Sequence, residues 1–184
     1  MERDQSQHSF RIEELRASFE AANARLATRL RESSDAAAAA AAGGAWSAAQ
    51  IGWHVAAVTT RFAGIMSGSI LAAQPLAPEF SERAWPEILA SIPGEARAPA
   101  ATLPPPSVPR EAALAALEAS GVLMASALAS LTPERGGRMG ITHPMVGTIS
   151  VYQIGDWATA HIIRHNRQAK RAIATAAAGP GTGE

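Results

Sequence analysis

Nine prolines fall between residues 75 and 109: Pro75, Pro78, Pro86, Pro93, Pro99, Pro104, Pro105, Pro106 and Pro109. Each lacks a backbone donor and clashes with the preceding helical turn, so no long regular helix can cross this stretch. On either side of it the apolar residues recur with a helical period, and no region alternates long enough to predict a sheet. The expectation is helices before and helices after. The long connection between them suits a crossover from one end of a bundle to the other, since a tight antiparallel hairpin needs far fewer residues. A short helix around Trp85 to Ala90 fits within it.

Before the prolines, Phe10, Leu15, Phe19, Ala22, Leu26 and Leu30 define an amphipathic helix with charged residues between them. The alanine run 36–42 has helix propensity but no amphipathic signal, and Gly43-Gly44 breaks it, so it reads as a low-complexity connection. The second helix opens at Ser47, with Gln50 at capping-box spacing, and runs to about Met66, with Gly68 near its end. After the prolines, a third helix spans Arg110 to Leu131, with Leu114, Leu117, Val122, Leu128 and Leu131 among many alanines; Pro133 and Gly136-Gly137 end it. A second capping-box spacing, Ser150 and Gln153, starts a fourth helix that continues through Ala172. These segments predict an all-α fold, a four-helix bundle with a long crossover connection between helices two and three. The chain reads as a single domain over 1–184, with a flexible N-terminal end, the proline-rich connection at 75–109 and a frayed tail at 176–184.

At 47% hydrophobic residues the chain can fill a core without covalent help, and it contains no cysteine. That excludes a disulfide framework, a thiolate-bound metal and a cysteine nucleophile, and leaves His, Asp and Glu as metal ligands. Lys plus Arg equals Asp plus Glu at 16 each, so no broad basic field favours nucleic acid as a partner. The N-terminus is not a basic segment followed by an apolar one, and no long Leu/Ile/Val/Phe run could span a bilayer. The reading is a soluble, cytoplasmic protein with no membrane partner.

His161 and His165 are four residues apart in the fourth helix. That spacing turns about 400° and rises roughly 6 Å, so both leave the same face and can converge on one ion. An H-x-x-x-H pair also arises by chance, and on the motif alone two hydrogen-bonded histidines at the rim of a core are the plainer reading. His54, beside Trp53 in the second helix, is a third candidate; three helical histidines that met would make an open three-ligand site. Spacing alone does not show that they meet.

The strings WSAAQIGWHVA and HPMVGTISVYQIGDWATAHIIRHNRQ resemble the DinB/YfiT-like family of four-helix bundles, which is unrelated to the DNA polymerase that shares the name. The resemblance covers the capped helix with its histidine, the His-Pro loop and the paired histidines, and not the Ala-rich and Pro-rich connections. It implies a divalent metal held by His54, His161 and His165, and a homodimer. Zinc is the expected ion, and imidazole also accepts nickel, iron and copper.

His161 is followed by Ile162, Ile163 and Arg164, so the H-E-x-x-H pattern of zinc proteases, with its general base, is absent. Three neutral imidazoles leave an ion's charge largely uncompensated, which activates either water, for a hydrolase, or a low-molecular-weight thiol, for a thiol-dependent transferase or isomerase. Either acts on a small-molecule substrate. His143 could shuttle a proton or hydrogen-bond a ligand from the loop, although a loop-fixing role is the plainer reading. Gln50 and Arg61 can share the face of His54, with Arg61 facing an anionic substrate or simply solvent. Trp157 packs beside the site. Asp156, about 140° around the helix from His161, reads as a surface carboxylate, and His8 as irrelevant. The competing reading is a non-enzymatic helical interaction or structural module.

Overall fold

The computed structural model describes residues 2–41, 43–91, 98–144 and 146–178. It is mostly helical. Helix α1 spans Glu2–Glu32, α2 Asp35–Ala39, α3 Ala48–Ser67, α4 Trp85–Ser91, α5 Arg110–Ala129, α6 Pro133–Arg138 and α7 Val151–Ala178. Strands β1 (Gln74–Pro75), β2 (Met139–His143) and β3 (Gly147–Ser150) form a small antiparallel sheet in the order β1-β2-β3.

The sequence did not foresee this sheet, and the segment read as a loop before the last helix is a β-hairpin. Its register pairs Ile141 with Ile149 and Thr142 with Thr148, whose hydroxyls lie 2.9 Å apart. Two other departures are local. Helix α1 starts well before Phe10, and Pro133 begins a short helix instead of only ending one, because Thr132 caps it by accepting from the Arg135 amide. The run 36–42 is helical over its first part, capped by Ser34; residue 42 lies outside the described residues, as does the tail beyond 178.

Four long helices, α1, α3, α5 and α7, pack around a core that includes Leu15, Leu26, Leu117, Met124, Ile154 and Ile162. Their ends are held by specific groups. Ser47 and Gln50 form the expected capping box at the start of α3, and Ser150 and Gln153 exchange the same pair of bonds at the start of α7. At the end of α3, Gly68 adopts φ +88, a left-handed conformation that glycine takes at low cost. Arg135 then donates to the Ile65 and Met66 carbonyls, at 2.7 Å each, satisfying acceptors a helix end leaves open. Arg110 does the same at the end of α1, donating to the Arg31 and Ser33 carbonyls and pairing with Asp35.

Helices α3 and α5 start side by side, where Gly52 faces Leu30, Ala113 and Leu117. Arg11 pairs with Asp156 and Arg29 donates to Asn166 at 2.6 Å, so α1 runs alongside the first half of α7. By length and composition α5 is apolar enough to cross a membrane, a property of its many alanines that a search for large apolar side chains overlooks. Here it packs against α3 and α1.

Candidate metal centre

The inward face of α3 carries His54, two turns beyond the Ser47 cap, and the facing stretch of α7 carries His161 and His165. The helices bring these rings together: one ring nitrogen from each histidine lies within 4.8 Å of the others. The ring centres of His161 and His165 are 4.3 Å apart, and His54 is 5.1 and 4.8 Å from them. His54 and His165 are buried and His161 is partly exposed.

Hydrogen bonding distinguishes the three rings. His54 Nδ1 donates to the Thr102 carbonyl at 2.7 Å, which fixes the ring's orientation and leaves Nε2 as a lone pair facing its neighbours. The Nδ1 atoms of His161 and His165 are buried without a hydrogen-bond partner. A buried polar atom left unpaired costs about 1–3 kcal/mol, and native proteins rarely leave one so. A cation held among these lone pairs would satisfy them, so the residues present fit a divalent metal.

The electrostatics agree. Burial holds all three histidines below the ordinary imidazole pKa. His165 is lowered to about 4 by burial and then by His54, against a hydrogen bond with Gln168 that raises it. His161 is pushed well down by burial, then by His165, His54 and Arg164. For His54, burial outweighs the Thr102 hydrogen bond. Neutral imidazole is the form that binds metal.

The cluster opens into a groove lined by Trp46, Phe62, Trp85 and Trp157 and by Arg61, His143 and Arg164. Trp157 is buried against Phe62 and His143, at ring distances of 5.2 and 4.8 Å. His143 ends β2 rather than sitting in a loop, and burial lowers its pKa. Arg61 lies exposed on the groove wall.

Gln50 does not line the groove. Its Oε1 accepts from the Ser47 amide, and its Nε2 donates to the Pro105 and Pro106 carbonyls, so the side chain anchors the proline-rich connection. Asp156 is not a surface carboxylate: it is mostly buried and bound by Arg11, and burial raises its pKa against the pull of that guanidinium. His8 is engaged as well, through a 2.5 Å hydrogen bond between its Nδ1 and the Tyr152 hydroxyl.

Sequence reasoning missed two residues that shape the cluster. Trp46 stacks 4.8 Å from His54, and Thr102 orients it. Neither carried a signal, one lying just past a low-complexity run and the other in a 3-10 turn among prolines.

A mostly helical fold whose facing long helices gather three histidines defines a class of helical proteins with a metal-capable centre. The sequence profile of the DinB superfamily matches residues 18–169, a span that includes all three histidines. The chain belongs to that superfamily. No curated protein and no solved structure matched it.

Proposed function

We propose that this protein is a DinB-like four-helix bundle, a single domain whose crossover includes the proline-rich connection at 75–109, and that it works as a metal-dependent enzyme on a small-molecule substrate. His54, His161 and His165 are the ligands, and zinc is the favoured ion, with nickel or iron as alternatives. The observation that carries the reading is the pair of buried, unpartnered Nδ1 atoms beside a third imidazole whose other nitrogen is already fixed.

A divalent ion bound there supplies Lewis-acid charge that brings water or a thiol to its nucleophilic form near neutral pH. The chain's own residues set the conditions for that chemistry. Thr102 holds the His54 tautomer, Trp46 covers the His54 ring, Trp157 packs against His143, and neutral His143 can accept or return a proton from the groove wall. Water as nucleophile gives a hydrolase; a low-molecular-weight thiol gives a transferase or isomerase.

The test is metal analysis of untagged protein purified without added metal, beside a His54→Ala/His161→Ala/His165→Ala variant shown to be folded by circular dichroism. Near-stoichiometric metal in the first and none in the second is the expected result. If neither protein holds or takes up zinc, nickel, iron or manganese, the enzymatic reading fails and a non-enzymatic helical module takes its place.

A further inference from the structure

The charges of the chain cancel overall, but they do not cancel along the groove. Arg61, Arg164, Arg167 and Arg171 line it, and among its described lining residues the one carboxylate is Asp156, which Arg11 already neutralises. Outside the groove, Arg16 is paired with Glu13 and Glu20 and Arg110 with Asp35. The side chains of Arg61, Arg167 and Arg171 form no ion pair or hydrogen bond among the described residues.

These cations flank the histidines. Arg164, Arg167 and Arg171 succeed one another at steps of three and four, which places them along one face of α7. Arg164 immediately precedes His165 on α7 and lies one turn from His161. Arg61 stands on the other side, next to Phe62, whose ring meets Trp157 one turn before His161. The wall between is apolar, with Leu103 and Ile163 left partly exposed on it. Low-dielectric walls strengthen the field of such a row.

We propose that the groove binds a small organic acid, its apolar body lying against Phe62, Leu103 and Ile163 and its anionic group held by Arg164 and Arg61 beside the histidine cluster. This rests on reading the cluster as the reacting centre, and it names the substrate class of that centre as carboxylate- or sulfonate-like anions with an apolar body. Guanidinium suits it, since its planar fork meets such groups with paired hydrogen bonds.

The test is fluorescence titration of the metal-free and the zinc-loaded protein with anilinonaphthalene sulfonate and with phenylnaphthylamine, the same ring system without its acid. At low ionic strength the sulfonate should bind about tenfold or more tightly than the neutral probe. Arg61→Gln and Arg164→Gln should each erase most of that preference while leaving the neutral probe's affinity and the melting temperature unchanged. Equal affinity for the two probes, binding of neither, or a preference indifferent to both substitutions would overturn the proposal. Zinc uptake, measured on the same samples, reports separately on the histidine site, so the preference can fail while the metal centre stands, or the reverse.

Discussion

At the scale of single residues, the three histidines make the protein's stability depend on acid. His165 binds a proton with an ordinary pKa of 6.5 when the chain is unfolded and with one of about 4 when buried. Between those values the unfolded chain holds more protons, so acid favours unfolding. The stability is intact above pH 6.5 and falls as the pH drops toward 4. The gap corresponds to about 3 kcal/mol from His165, and His161 and His54 act in the same direction. Urea unfolding of metal-free protein at several pH values should show this loss, and His165→Gln should reduce it without abolishing it; a stability unchanged across that range would contradict the burial described. The pair on α7 was legible because a four-residue spacing on a helix has one geometric meaning. His54 became a partner only through the family resemblance, and Gln50 was misjudged because a capping glutamine has already spent its side chain.

At the scale of elements, the small sheet supports the entry to α7 and carries His143 at the end of β2. It tolerates no bulk at Gly140, where a Cβ would fall on the Ile149 backbone oxygen. Because backbone cannot swing aside as a side chain can, Gly140→Ala is expected to cost about 1–3 kcal/mol, as overpacked sites do. A thermal or urea melt checks it, and an unchanged midpoint would mean that the β2–β3 pairing is looser than described. The helices were readable because their signals are local, with period, cap and breaker all lying within a few residues. The sheet was not, because its strands are two to five residues long and β1 finds its partner, β2, more than sixty residues away.

For the whole molecule, ligand binding and folding are one equilibrium. Zinc that binds the folded chain alone adds about 2.7 kcal/mol at a hundredfold excess over Kd and about 4.1 at a thousandfold. For a domain of this size that is a melting shift of roughly 5–15 °C. Calorimetry should record such a rise for the native protein and none for the triple histidine variant; equal shifts would place the zinc elsewhere. The helical class and its long connection were visible from the prolines and the hydrophobic period. The groove was not, because its arginines come from two helices and its tryptophans from α4, α7 and the segment before α3, an assembly that no one stretch of sequence displays.

The meeting of α3 with α7 also sets a schedule. His54 leaves the ribosome more than a hundred residues ahead of His161 and His165, a delay on the order of ten seconds at ordinary rates of synthesis. Throughout that interval the nascent chain has one imidazole of the three, too few to compete for a scarce ion. On the proposed reading, an ion would therefore be taken up only after α7 has docked, where it would lock an architecture already formed and could not template it.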